Sequence, residues 1–126
     1  MKKLLFTTLV LTFIIAACGT TPETTANIRP LEEAYANAAP EITEVTATDA
    51  VLLFESSVPL ACSVVYGTTI EYGQLSVDTD MDGGAHTDHH PVLSGLEPDT
   101  EYQYRLQGTA PDGTIYTSEN MTFRTL

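Results

Sequence analysis

Apolar and polar residues follow two different patterns along the 126-residue chain. Residues 4–15 form a nearly continuous apolar run behind Lys2 and Lys3, shorter than the ~20 residues that a membrane-spanning helix needs. From Glu41 onward, apolar residues recur at every second position, and turn residues interrupt them at intervals typical of β-sandwiches. The pattern predicts an N-terminal signal helix followed by a small all-β domain.

The alternating region predicts about seven strands and no amphipathic helix. The sequence Pro111-Asp112-Gly113 marks a tight turn between the last two strands. The predicted strands are residues 42–47, 50–54, 61–66, 71–77, 89–93, 102–106 and 115–125, the last with a break at residues 118–120.

The apolar run ends in Ile15-Ala16-Ala17-Cys18. This segment resembles the lipobox of bacterial lipoproteins, in which an aliphatic residue and two small residues precede a cysteine that is acylated before the signal peptide is removed. The resemblance implies cleavage before Cys18 and an extracytoplasmic protein anchored to a membrane by acyl chains such as palmitate. Gly19, in place of aspartate, implies no inner-membrane retention in a Gram-negative envelope. An ordinary secretory signal with an incidental cysteine is the alternative.

The stretch after Cys18 is rich in Thr, Ala, Glu and Pro, which predicts a flexible tether. Residues 31–38 contain enough helix formers for a turn or two after Pro30, but their apolar face is too thin to fold alone. The predicted organisation is a signal peptide at residues 1–17, a lipidated cysteine and linker at residues 18–40, and one domain at residues 41–126.

The formal net charge of −12 makes the chain strongly acidic, and removal of Lys2 and Lys3 with the signal would make the remainder more acidic still. Such a surface repels phosphate backbones, so we expect no nucleic-acid partner. It attracts divalent cations and basic proteins, although solubility of a secreted domain is the simpler explanation.

Residues 96–102 read LEPDTEY, which resembles the L-x-P-x-T-x-Y signature of fibronectin type III domains. The resemblance implies a structural tyrosine corner formed by Leu96, Pro98 and Tyr102, in which the tyrosine hydroxyl bonds back to the backbone. It also implies a seven-stranded, immunoglobulin-like β-sandwich.

More narrowly, the region resembles the fibronectin-like domain that precedes the catalytic domain of purple acid phosphatases and related metallophosphoesterases. The resemblance implies that Phe54 takes the place of a common tryptophan and that the strand bends or lies at an edge at Pro91. The catalytic residues of those enzymes lie in a domain that would follow Leu126, so none is carried over. The matching pieces are residues 64–68, His89 seven residues before Leu96, and residues 93–96, 100–105 and 122–125.

The polar loop at residues 78–88 contains the spacing D-x-D-x-D-G, which points carboxylates inward around a hard cation. This predicts calcium ligands at Asp78, Asp80 and Asp82. His89 stands where an EF-hand has its bidentate glutamate, so Asp88 is the fourth candidate ligand. A plain acidic loop without metal is the simplest alternative.

A second alternative for this loop is a zinc or copper site that uses His86, His89 and His90 with nearby aspartates. His89 and His90 would point to opposite faces of a strand, so both could not easily bind one ion. Cys62 has no partner if Cys18 carries lipid, so we expect no disulfide and a small buried side chain at Cys62.

No motif of an enzyme class is present: the sequence contains no G-x-S-x-G, no P-loop and no H-E-x-x-H. We therefore expect a membrane-anchored binding or accessory module without catalysis, interacting with protein or glycan. The rivals are a calcium-binding lipoprotein and a metallophosphoesterase remnant. A glycan platform would draw on tyrosines that in a small sandwich more often fill the core, namely Tyr66, Tyr72, Tyr102, Tyr104 and Tyr116.

Overall fold

The computed structural model describes residues 25–81 and 84–126, so the predicted signal peptide and Cys18 lie outside the described residues. Among those described, no helix has the length and apolar character that crossing a bilayer requires. The elements in chain order are β1 Ile28–Pro30, a 3-10 helix Leu31–Ala34, β2 Glu41–Thr43, β3 Asp49–Gly67, β4 Gln74–Val77, β5 His86–His89, β6 Val92–Ser94, β7 Glu101–Thr109, β8 Ile115–Thr117 and β9 Met121–Arg124.

Strand β3 organises the fold because its two halves pair with different neighbours. Its first half pairs antiparallel with β2 and β6, and its second half pairs antiparallel with β4 and β7. Beyond β7, the second ladder continues through β8 to β1, while β9 pairs with another part of β7. The all-β sandwich that the alternation predicted is confirmed, and the strands predicted at residues 50–54 and 61–66 are parts of this one element.

The core lies on the even-numbered face of β3. Ala50, Leu52 and Phe54 are buried before the middle of the strand, and Cys62 and Val64 are buried after it. Removing each large apolar side chain of this kind from water contributes about 1.5–3 kcal/mol. The buried side chains that face them come from other strands and loops and include Leu93, Leu96, Tyr102, Tyr104 and Leu106.

Phe54 occupies the centre of an aromatic cluster, with 4% of its surface exposed. Its ring meets Tyr35 edge to face at 5.7 Å between centroids and lies parallel to the ring of His89 at 5.5 Å. A large aromatic side chain thus fills the centre of the core although the chain has no tryptophan.

The corner before β7 is held by Tyr102. Its hydroxyl accepts a hydrogen bond from the Glu97 N–H at 2.9 Å, and the Thr125 hydroxyl donates to the Glu97 carbonyl at 2.6 Å. Leu96 is buried next to this corner, whereas Pro98 is exposed on the turn. The three residues named by the signature therefore lie at one bend, which is tied to the C-terminal segment.

Residues 28–40, assigned above to the linker, pack against the sandwich. Strand β1 pairs in parallel with β8, and Leu31 and Ala34 of the 3-10 helix are fully buried. An apolar face too thin to fold alone becomes stable when a preformed sheet covers it. The structure therefore moves the start of the packed unit from Glu41 back to Ile28.

Three predicted strands are shorter in the structure than in the sequence pattern. The strand predicted at residues 42–47 ends at Thr43, because Glu44 adopts a positive φ angle of 47°. The segment predicted at residues 89–93 divides into β5 and β6 around Pro91, whose carbonyl accepts the Leu52 N–H at 3.1 Å. The segment predicted at residues 71–77 begins only at Gln74, because Tyr72 and Gly73 adopt positive φ angles of 61° and 97°. The break predicted at residues 118–120 separates β8 from β9.

Replacing Leu31 with alanine tests whether residues 28–40 belong to the folded unit. Leu31 is 0% exposed, so we expect Leu31→Ala to lower the free energy of unfolding by about 2–5 kcal/mol in urea titration. The control is the neighbouring exposed Glu32, for which Glu32→Ala should change stability by no more than about 0.5 kcal/mol. Equal stabilities for both variants would contradict the packing of this segment.

Candidate functional site

The candidate site centres on Asp78, a carboxylate buried directly after β4. The side chains of β4 alternate, so Val77 points to solvent and Asp78 points inward, where it is 1% exposed. The Asp78 N–H donates to the Cys62 carbonyl at 3.2 Å and so extends the pairing of β4 with β3 by one residue. The backbone therefore fixes a charged group inside the sandwich.

Two histidines of β5 meet this carboxylate. His86 and His89 are three residues apart, and in a regular strand they would point to opposite faces. The pairing of β5 with β3 is irregular: its register shifts between Glu55 and Leu60. Both rings therefore reach Asp78 from the same short strand.

The three side chains converge on one oxygen atom. Asp78 Oδ2 lies 3.0 Å from His86 Nε2 and 3.0 Å from His89 Nδ1, and the ring centroids are 4.7 Å apart. The side chains of Asp78 and His89 are 0% exposed and that of His86 is 22% exposed. Within the described residues, Asp78 Oδ1 is a buried oxygen without a hydrogen-bond partner.

The ring nitrogens that face away from Asp78 also have partners. His89 Nε2 lies 3.0 Å from the Ser56 hydroxyl oxygen, and that hydroxyl donates to the Val58 carbonyl at 2.7 Å. His86 Nδ1 lies 3.2 Å from the Gly84 carbonyl oxygen. Each ring is thus oriented from both sides.

Burial and the contacts between Asp78 and the histidines shift the pKa values at this site in opposite directions. Burial alone would raise the pKa of Asp78, but its contacts with the two histidines outweigh burial and hold that pKa below its ordinary value. Burial holds the pKa of His89 below its ordinary value, whereas for His86 the Asp78 and Gly84 contacts outweigh burial and raise the pKa. At neutral pH, we therefore expect an ionised Asp78 beside a neutral His89.

The predicted calcium ligands do not all gather at this point. Asp80 lies at the surface, with its carboxylate 2.7 Å from His90 Nε2. Asp88 is exposed on β5 opposite Glu55, and Asp82 lies outside the described residues. The calcium assignment to Asp78, Asp80, Asp82 and Asp88 stays a prediction.

The zinc or copper alternative receives a more definite geometry. Within residues 25–81 and 84–126, the group of possible metal ligands whose donor atoms lie within 4.8 Å of one another consists of Asp78, His86 and His89. His90 points away toward Asp80, as the alternation of a strand predicts. Sequence reasoning did not combine Asp78 with His86 and His89 because the irregular pairing that unites them has no local signal.

The order Ser56, His89, Asp78 resembles the order of atoms in a hydrolytic triad. A nucleophile must reach its substrate, and Ser56 is 3% exposed. Its hydroxyl proton is directed to the Val58 carbonyl instead of His89. The geometry therefore gives acyl transfer no support.

No family model and no curated protein matches the chain. Solved structures do match: a myokine at 19% identity and a TM-score of 0.52, covering 73% of this chain and 97% of the other. A fibronectin type III domain from the human KIAA0970 protein matches at 21% identity and a TM-score of 0.50, covering 69% and 70%. A purple acid phosphatase from yellow lupin seeds matches at 19% and 0.49, covering 68% of this chain and 19% of the other. The match to the fibronectin type III domain shows that the fold is fibronectin type III-like, as the residues suggested.

The reactivity of Cys62 tests how tightly the core closes beside the site. Cys62 is 2% exposed, and burial, with a smaller contribution from the Asp78 charge, raises the pKa of its thiol to about 12. In a Cys18→Ala background, we expect iodoacetamide to leave the native thiol unmodified at pH 8 and to modify it in urea, as followed by mass spectrometry. Rapid labelling of the native chain at pH 8 would contradict the packing described here.

Proposed function

We propose that the chain is a lipid-anchored, extracytoplasmic binding module that acts without catalysis and docks a protein partner on one face of its sandwich. A fibronectin type III-like fold is consistent with a non-catalytic binding or accessory role. The anchor rests on the sequence Ile15-Ala16-Ala17-Cys18 and the docking surface on exposed residues of the fold.

The anchor sets how far the module can stand from the membrane. Ten residue steps separate Cys18 from Ile28, the first residue of β1. At the maximum extension of a polypeptide, they span at most about 36 Å. The proposed partner is therefore a protein of the same membrane surface.

The docking surface is the outward face of the sheet formed by β4, the second half of β3, β7, β8 and β1, called the outer face below. The cross-strand register aligns Leu75 of β4 with Val65 of β3, and Val65 with Arg105 of β7. On β4, Leu75 is 63% exposed and Val77 is 55% exposed. A shallow cavity of about 240 Å³ lies on this face between Val65, Arg105 and Ile115.

Exposed aliphatic residues on one sheet face carry the proposal. Leu75 and Val77 point outward on β4, and neither is part of the core. Ile28 of β1, 62% exposed, lies at the cavity on the same face. Exposed apolar residues grouped on one sheet face are typical of contacts with another protein.

A protein partner fits this surface better than a glycan or a nucleic acid. Of the five tyrosines considered for a sugar platform, three are buried in the core, Tyr116 packs against it, and Tyr72 remains alone at the cavity, so the face offers no platform of several rings. The strongly acidic chain repels phosphate and favours a partner whose apolar patch has a basic rim. The proposed occupant is therefore a basic-rimmed protein surface.

The anchor is tested by growing the host with an alkyne analogue of palmitate. We expect labelled protein in the membrane fraction for the wild type and for Cys62→Ala. For Cys18→Ala, we expect loss of both label and membrane association, because the acyl-accepting thiol is gone. Membrane-bound, labelled Cys18→Ala protein would refute the anchor.

The outer face is tested with a photocrosslinking amino acid at position 75 in intact host cells, with position 53 as the matched control. Leu53 is 47% exposed on the other sheet. We expect one discrete adduct with another protein from position 75 and none from position 53, and Val77→Asp should remove it. The same adducts from both positions, or an adduct of twice the chain's own mass, would contradict the proposed partner.

A further inference from the structure

We propose that Asp78, His86 and His89 form a binding site for a divalent transition-metal ion of the zinc class. This inference is independent of the proposed docking function, because it rests on the interior end of β4 and on β5 instead of the outer face. It rests on three observations: the direction of the hydrogen bonds around the histidines, the distances between the donor atoms, and a buried oxygen without a partner.

The first observation concerns which ring nitrogens carry protons. A carbonyl oxygen can only accept, so the 2.7 Å contact to Val58 uses the single proton of the Ser56 hydroxyl. The Ser56 oxygen must then accept from His89, which places the proton of a neutral His89 on Nε2. The bare Nδ1 of that ring therefore faces Asp78 at 3.0 Å.

His86 lies between two acceptors. Its Nδ1 is 3.2 Å from the Gly84 carbonyl oxygen and its Nε2 is 3.0 Å from Asp78 Oδ2, so without an ion a proton on each nitrogen satisfies both contacts. A metal ion would take the place of the proton on Nε2, and the Gly84 carbonyl would keep the proton on Nδ1 and so orient the ring.

Without an ion, the contact that lacks a proton is the one between His89 Nδ1 and Asp78. A proton on His89 Nδ1 instead of Nε2 would direct the Ser56 proton to the ring and leave two oxygens 2.7 Å apart without a hydrogen between them. A metal ion would face this bare Nδ1, His86 Nε2 and the Asp78 carboxylate together.

The second observation is the spacing of the donor atoms. Ligands about 2.0–2.1 Å from a tetrahedral zinc ion lie about 3.3 Å from one another. The two histidine nitrogens lie 3.0 Å from Asp78 Oδ2. All three donor atoms lie within 4.8 Å of one another, so small movements of the rings and the carboxylate would bring them to this spacing.

The third observation is the buried carboxylate oxygen that faces no donor. Asp78 Oδ1 has no partner among the residues that the structure describes, and leaving a buried charged oxygen unpaired is costly. A bound ion neutralises the carboxylate as a whole and offers its second oxygen a role as a ligand or as an acceptor for metal-bound water. The arrangement of Ser56 behind His89 also matches the outer hydrogen bond that orients a metal-binding histidine.

The donor set selects the class of ion. Calcium takes six to eight oxygen ligands, whereas two imidazoles and one carboxylate suit zinc and its neighbours. The ion would join the end of β4 to β5 and, through Ser56, to the middle of β3. Binding would therefore stabilise the folded chain, by a free energy that rises with the logarithm of the ratio of free ion concentration to Kd.

The test is metal binding by the full chain, purified in detergent and stripped with a chelator. After reloading and dialysis, we expect one zinc ion per chain by elemental mass spectrometry and an increase in the melting temperature. Nitrogen NMR should show zinc-dependent shifts at His86 Nε2 and His89 Nδ1. Calcium should produce neither the stoichiometric binding nor these shifts.

The chain supplies a matched control in its second Asp–His pair, which lies at the surface. His86→Ala and Asp78→Asn should abolish stoichiometric binding, whereas His90→Ala and Asp80→Asn should retain it. Ser56→Ala should weaken binding by about 10–100-fold. If circular dichroism shows that His86→Ala does not fold, the proposal is tested instead by the zinc affinity of Ser56→Ala and by the zinc-dependent shifts of the ring nitrogens in the wild type. Equal loss in the surface-pair variants, unchanged ring nitrogens, or binding of calcium in place of zinc would overturn the proposal.

Discussion

The burial of one face of β3 is the interaction on which the rest of the structure depends. Side chains of alternate residues enter the core from Ala50 to Tyr66, so a single strand supplies apolar contacts to both sheets. Five of the other strands pair with β3 directly, β8 and β9 pair with β7, and β1 pairs with β8. A change that reversed this alternation would expose the interior of both sheets together.

The middle of β3 is where this regularity is interrupted, and the candidate site lies there. Between the two paired halves, Ser56 occupies an inward position as a polar residue, and the register with β5 shifts. The shift brings His86 and His89 to the same carboxylate, which the alternation of β4 has turned inward. Buried polar groups are costly unless they are satisfied, and their concentration at one point is the reason for proposing a binding role there.

The two proposed surfaces of the molecule are physically separate. The outer face carries exposed aliphatic side chains beside polar ones and is built from regular strands, and we propose another protein as its occupant. The Asp78 site is polar, largely buried and built where the pairing is irregular, so its chemistry suits an ion. The domain can use both at once, since neither surface requires the residues of the other.

Much of the fold could be predicted because strand alternation is a local property. The pattern predicted β7 and the break between β8 and β9, and the motif LEPDTEY indicated the corner at Tyr102. The packing of residues 28–40 against the sheet could not be predicted in this way. Leu31 and Ala34 are too few to form a core, and their burial depends on a sheet that is distant in sequence.

By itself, the sequence determined the class of fold, the acidic character and the residue types available for chemistry, because these depend on composition and short-range order. The tertiary structure alone decided which of those residues meet. Asp78 carries the same side chain as Asp80, yet one is buried between two histidines and the other pairs with His90 at the surface. Strand register made that difference, and register is set by long-range pairing, which no local spacing of residues specifies.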